Sequence, residues 1–104
     1  MKVFWFHKAR LAFIKTAKYV AKEFGDRVAK DLFDEVGILN KYLADNPYMG
    51  KIEPLLADRK VEYHCILVKR LNKIIYRIEN DGVYVVDFWN LRQDQNKLQK
   101  RIDL

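Results

Sequence analysis

Lys73-Ile74-Ile75-Tyr76-Arg77-Ile78-Glu79-Asn80-Asp81-Gly82-Val83-Tyr84-Val85-Val86-Asp87-Phe88-Trp89-Asn90 is the stretch that decides the fold. Ile74, Tyr76 and Ile78 alternate with Ile75, Arg77 and Glu79, the period-two pattern of a strand. Asn80-Asp81-Gly82 follows, and all three residue types accept positive φ, so a hairpin turn is expected there. Val83–Asn90 is a second run rich in β-branched and aromatic residues. Upstream, Glu62–Val68 reads as another strand, joined to Lys73–Glu79 by a turn at Arg70-Leu71-Asn72. Three consecutive strands with tight connections make an antiparallel meander.

Toward the N-terminus the period changes. Val3-Phe4-Trp5-Phe6 is a short strand by propensity. From Lys8 onward Arg10, Phe13, Ala17, Val20 and Phe24 recur every three or four residues, with Ile14 and Ala21 beside them, which predicts an amphipathic helix ending at Gly25. Asp26 is expected to cap a second helix, whose apolar stripe is Ala29, Leu32, Phe33, Val36, Leu39 and Leu43. Gly37 inside that helix reads as a point of close helix packing, and Asn46-Pro47 ends it. Tyr48 to Lys60 reads as irregular. Asp94–Ile102 supports a short C-terminal helix at most, with Leu98 and Ile102 four residues apart. The expectation is one α+β domain over residues 1–104. An N-terminal strand and a helical hairpin pack on a mainly antiparallel, curved sheet of three to four strands.

The 104 residues give room for one core, with 50% apolar and 33% charged side chains. The longest apolar runs, Val3–Phe6, Cys65–Val68 and Val83–Val86, are far shorter than the ~20 residues of a membrane span, so a soluble, cytoplasmic chain with no membrane partner is expected. The lone Cys65 forms no internal disulfide and sits in an apolar run, which reads as core. His7 and His64 are 57 positions apart, so neither a metal site nor another cofactor is expected. Glycine-rich phosphate loops, Ser/His/Asp spacings and HExxH are absent.

What remains is cationic. The formal net charge is +6, which favours a polyanionic partner. Lys2, Lys8, Arg10, Lys15, Lys18 and Lys22 precede the first carboxylate, Glu23. Lys15, Lys18 and Lys22 share one helix face, a basic ridge suited to phosphates or to an acidic protein. Arg92 follows the last strand, where a guanidinium can hold a phosphate in bidentate fashion. Trp89 stacks a base if its ring is exposed and belongs to the core if it is not. Arg59 and Lys60 precede the meander, and Lys69, Arg70 and Lys73 flank its first turn; these are the other candidates for contact with nucleic acid or a target. His64, between Tyr63 and Cys65, is either a packed side chain or a general acid or base.

Asn46-Pro47-Tyr48-Met49-Gly50, Lys73-Ile74-Ile75-Tyr76-Arg77-Ile78 and the final strand closing on Arg92-Gln93 together resemble the RelE/ParE superfamily of bacterial toxins. The order of these motifs after a helical hairpin carries the resemblance over roughly Met1 to Leu98. It implies the toxin of a type II toxin–antitoxin pair with an acidic antitoxin as partner. It also implies one of two activities: ribosome-dependent, metal-independent mRNA cleavage by a ribose 2′-OH, or inhibition of DNA gyrase without RNA chemistry. In the nuclease reading Arg92 neutralises the phosphorane and His64 supplies acid–base chemistry, with ribosome and mRNA as partners. Two departures weigh against it. Tyr63 is followed by His64 where an Arg is common in the family, and Gln93 to Leu104 holds neither Tyr nor His. A catalytically weakened toxin kept for antitoxin binding is the third reading.

Overall fold

The computed structural model describes residues 1–93 and 95–102. In chain order the elements are β1 (Lys2–Trp5), α1 (His7–Phe24), α2 (Asp26–Asp45), β2 (Lys51–Ile52), a 3-10 turn (Pro54–Leu56), β3 (Tyr63–Val68), β4 (Asn72–Glu79), β5 (Gly82–Asn90) and α3 (Gln95–Arg101). The sheet has five strands in the order β1-β5-β4-β3-β2. The meander β3–β4–β5 is antiparallel as expected, whereas β1 pairs parallel to β5, Lys2 opposite Gly82 and Trp5 opposite Val85. The extra strand, β2, comes from the segment that reads as irregular. It is only two residues long and gains its pairing from Cys65 and His64.

The helical hairpin covers one face. Ala9, Phe13 and Ala17 of α1 and Leu32, Val36, Leu39 and Leu43 of α2 pack on Val68, Ile74, Tyr76, Val83, Val85 and Phe88. Each fully buried aliphatic side chain here contributes roughly 1.5–3 kcal/mol. Trp5 Nε1 donates to Asn40 Oδ1 at 3.0 Å and ties β1 to α2. Arg10, Phe24 and Phe33 lie on the expected stripes yet are exposed, because the stripes are wider than the surface the sheet offers. Gly37 is a correction: an added Cβ there meets nothing within 4 Å, so this glycine marks open surface and not a close crossing. Asp26 is another. The residue before α2 is Gly25 at φ 97°, a backbone that favours glycine, and no side chain caps the helix.

The opposite face carries a second core. Leu98 and Ile102, from α3 and just after it, pack with Leu56, Tyr63, Cys65, Ile75, Val86 and Trp89. A β-bulge makes this possible. Ile75 faces Asp87 while Tyr76 faces Val85, which leaves Val86 as an extra residue and turns Val86, Asp87 and Trp89 toward α3. Phe88 thereby returns to the hairpin side.

The positive φ values expected at Asn80-Asp81-Gly82 occur instead at Lys69 (φ 50°) and Arg70 (φ 65°), in the other hairpin. Asn80 and Asp81 alone make the second turn, with Gly82 already paired to Glu79. Gly82 serves a different need: a Cβ there meets the Lys2 carbonyl at 2.7 Å, so the close approach of β1 requires its absence.

Candidate functional site

Arg92 lies two residues beyond the end of β5, an interior strand of the sheet, in the turn that precedes α3. The Asn90 side chain fixes this turn by accepting from the Arg92 backbone N–H at 2.8 Å. The exposed Arg92 side chain lines a groove of about 620 Å³ between this turn and one flank of α1. His7, Lys8 and Lys15 line the same groove from α1, with Leu11, Ala12 and Phe88 as its apolar surface. No Asp or Glu is among the described lining residues. Helical spacing explains the assembly, since positions 8, 11, 12, 15 and 19 fall on one side of a helix. Lys18 and Lys22 are exposed further along α1, outside the groove.

Arg101 also lines the groove, but its guanidinium is committed. It donates to Asp87 Oδ1 at 2.7 Å and stacks 4.9 Å from the Trp89 ring. Burial pushes the Asp87 carboxyl above the usual carboxylate range, opposed by the Arg101 charge and by the Phe88 N–H. The Lys8 ammonium donates to the Arg101 carbonyl, and Arg59 donates to the carbonyls of Gln99 and Ile102. Two cations thus cap the C-terminal end of α3, the end where backbone carbonyls lack helical partners.

Trp89 is fully buried under α3, so its ring offers no stacking surface, and the core alternative holds. Arg59 is drawn to α3, while Lys60 is exposed. Lys69 and Arg70 form the exposed β3–β4 tip.

His64 is also buried. It stacks on Tyr76, ring centroids 5.4 Å apart, with Tyr48 edge-on at 5.9 Å. Its Nδ1 is 3.1 Å from the Gly50 carbonyl and its Nε2 is 3.0 Å from Glu62 Oε1. Tyr76 completes this clasp by donating to the Pro47 carbonyl and accepting from the Gly50 N–H. The clasp pins the loop that follows α2. His64 and Arg92 are not brought together. His64 pairs with Tyr76, whereas Arg92 follows Asn90, which pairs with Asn72. Tyr76 and Asn72 are about 13 Å apart at ~3.3 Å per residue, and β3 and β5 are separated by the whole of β4.

The sequence reading missed one cluster. Lys73, on the α3 side of the sheet, forms an ion pair with Glu53, and both are buried. Glu53 also caps the 3-10 turn by accepting from the Leu55 N–H at 2.8 Å. The pair borders an open cavity of about 770 Å³ with Gly50, Lys51, Cys65 and Leu91. Burial, and then the Glu53 charge, push the Cys65 thiol up, so it is protonated at neutral pH and inert as a nucleophile. The signal available in the sequence was Glu53-Pro54, a capping residue before a proline at the first turn position. Nothing local says that Lys73 meets it.

No protein-family model matches the sequence, and no curated protein matches it. Solved structures do match. A chain of the chromosomal ParDE toxin–antitoxin system from P. aeruginosa superposes with a TM-score of 0.72 at 13% identity, covering 88% of this chain and 97% of that one. The YoeB dimer from Staphylococcus aureus matches with a TM-score of 0.58 at 14% identity, covering 89% and 98%. The chain therefore has the RelE/ParE-like fold: two helices on one face of a five-stranded mixed sheet, with a short C-terminal helix on the other. Among the described residues no helix is long and apolar enough to cross a membrane, and no group of three potential metal ligands occurs.

Proposed function

We propose that this protein is the toxin of a type II toxin–antitoxin pair and that it acts by binding, as ParE-like toxins do on DNA gyrase, in the cytoplasm. The separation of Arg92 from His64 carries the reading. A phosphoryl-transfer centre needs its cation and its proton-transfer group within reach of one phosphate. Here the exposed cation lies at the end of β5, and the expected acid–base group is buried two strands away, both ring nitrogens engaged. The partner is an acidic antitoxin, encoded beside the toxin, that covers cations such as Arg92 and the Lys15, Lys18, Lys22 ridge.

One observation favours ribosome-dependent mRNA cleavage as the second reading. Glu53 and Lys73 are a carboxylate and a cation in contact at the wall of a cavity, the two chemical types that cleavage by a 2′-OH uses. That reading requires the buried Lys73–Glu53 pair to open toward the cavity, so that Lys73 reaches the phosphate and Glu53 the 2′-OH proton.

The test uses purified protein in two assays. The binding reading expects inhibition of gyrase supercoiling at micromolar protein, weakened about tenfold by Arg92→Ala, the loss of one charge-assisted contact. It expects mRNA on translating ribosomes to stay intact. Gyrase left untouched, with transcripts cut inside codons and cutting abolished by Glu53→Gln, would falsify it and establish the second reading.

A further inference from the structure

We infer that the end of the sheet formed by the β3–β4 turn and the turn after β5 is a contact site for the phosphodiester backbone of a nucleic-acid duplex. The inference rests on the gyrase reading only for the source of that duplex, the DNA that gyrase holds. Three observations point to it.

The first is position. Val68 pairs with Asn72, so Lys69-Arg70-Leu71 is the whole connection between β3 and β4. The Leu91 N–H donates to the Leu71 carbonyl at 2.8 Å, which extends the β4–β5 ladder past Asn72 and Asn90. Lys69 and Arg70 from one turn and Arg92 from the next therefore stand together at one end of neighbouring strands, which run about 5 Å apart. All three are exposed.

The second is charge. From Tyr63 to Ile78 the chain carries Lys69, Arg70, Lys73 and Arg77 and no carboxylate. Lys73 is paired with Glu53, and Arg77 with Glu79. Lys69 and Arg70 form no ion pair with a described residue. A duplex carries one charge per ~1.7 Å of axis, and exposed cations on a rigid frame bind it by releasing its counterions. An acidic peptide needs apolar pockets as well, and neither of the two large cavities is lined by Lys69 or Arg70. Asp94, which follows Gln93, lies outside the described residues, and the experiment below tests its charge directly.

The third is strain. Lys69 at φ 50° and Arg70 at φ 65° are the two non-glycine residues with positive φ among the described residues. There the Cβ crowds the following carbonyl, and turn stability alone favours Asn or Gly. The turn instead fixes two long cations in a costly conformation, as happens where a strained segment meets a partner. Leu71, 45% exposed at the same turn, adds an apolar contact of the kind that groove-binding proteins place beside their cations.

The experiment measures fluorescence anisotropy of three labelled probes against the full chain: a DNA duplex of about 20 base pairs, an RNA duplex of the same length, and polyglutamate of equal charge. Three phosphate contacts give a slope of about −2.7 for log K against log salt, roughly a 40-fold loss between about 50 and 200 mM. The duplexes should bind at least about tenfold more tightly than polyglutamate. The decisive variant combines Lys69→Asn with Arg70→Gly. Asn and Gly accept positive φ, so its urea midpoint should rise, and its loss of binding cannot be loss of fold. Its slope should shrink to about −0.9, the contact left to Arg92. Lys2→Gln with Lys41→Gln removes the same two charges from the other end of the molecule, where Lys2 pairs with Gly82 and the N-terminus reaches the Ala44 carbonyl. That variant should keep the parental slope. Asp94→Asn should bind at least as tightly as the parent.

A parental slope shallower than about −1, equal affinity for polyglutamate, equal losses in the two double variants, a lowered urea midpoint for Lys69→Asn with Arg70→Gly, or weaker binding by Asp94→Asn each overturns the inference. The source is read separately. With gyrase-held DNA as the source, Lys69→Asn with Arg70→Gly inhibits supercoiling about tenfold less than the parent, as for loss of charge-assisted contacts. Tighter binding of the RNA duplex, with cutting on ribosomes lost instead, assigns the duplex to RNA. If duplex binding follows the pattern above while the parent leaves gyrase untouched, the site stands and the gyrase reading fails.

Discussion

The two faces of the sheet are both buried, but by different means. On the α1–α2 face the contacts are apolar, from Phe13, Val36, Leu43, Ile74 and Tyr76. On the α3 face, Trp89, Ile75 and Leu98 share the space with two ion pairs, Lys73–Glu53 and Arg101–Asp87, whose carboxylates are fully buried. The hairpin face is held mainly by apolar area, which is non-directional and tolerant, with neutral hydrogen bonds such as Trp5–Asn40 at its margins and no buried ion pair among the described residues. The α3 face depends on specific partners, because a buried charge without its counter-ion costs several kcal/mol.

That difference is most sharply tested at Lys73. Lys73→Met leaves Glu53 buried and unpaired, and should cost about 3–5 kcal/mol in urea unfolding. The double change Glu53→Leu with Lys73→Met removes both charges. It should restore most of that loss, less about 1 kcal/mol for the lost cap on Leu55. If the single and double variants are equally destabilised, the pair is not what distinguishes this face.

The next effect is smaller and local. Leu98 is fully buried and is the main apolar anchor of the short helix α3. Leu98→Ala should cost about 2 kcal/mol, the low end for such truncations, since a seven-residue helix can shift to fill the space. Loosening should be confined to α3: Trp89 fluorescence should move to the red, while amide exchange in α1 and α2 stays as in the parent. Equal loss of protection in both helices would mean that the two faces unfold as one unit.

The same contrast explains what the sequence made legible. The hairpin face is encoded locally, since Ala29, Leu32, Val36, Leu39 and Leu43 recur at the helical period and Ile74, Tyr76 and Ile78 at the strand period. The α3 face is encoded non-locally. Glu53 and Lys73 are twenty residues apart, Asp87 and Arg101 fourteen, and each reads as a solvated charge; the bulge at Val86 and α3 bring Asp87 and Arg101 together, and the pairing of β2 with β3 brings Glu53 toward β4. Trp89 shows the ambiguity most plainly: its exposure depends on a helix whose sequence, Gln95-Asn96-Lys97-Leu98-Gln99-Lys100-Arg101, is almost wholly polar. Arg92 and Lys15 were each visible as cations. Their sharing of one groove follows only from the docking of α1 against the end of β5.

Gly37 gives the smallest and cleanest test of how much specific packing the hairpin side requires. The residue lies inside α2, exposed, at a φ outside the left-handed region, and a Cβ built there has open space around it. An alanine therefore adds no clash and removes backbone freedom from the unfolded chain, so Gly37→Ala should stabilise by about 0.5–1 kcal/mol. Because the change touches neither ion pair nor α3, its gain should simply add to the loss from Lys73→Met within about 0.5 kcal/mol. A destabilised Gly37→Ala would show that α2 has a close neighbour on its outer surface after all; a strongly non-additive double variant would show that the two faces are energetically coupled through the sheet.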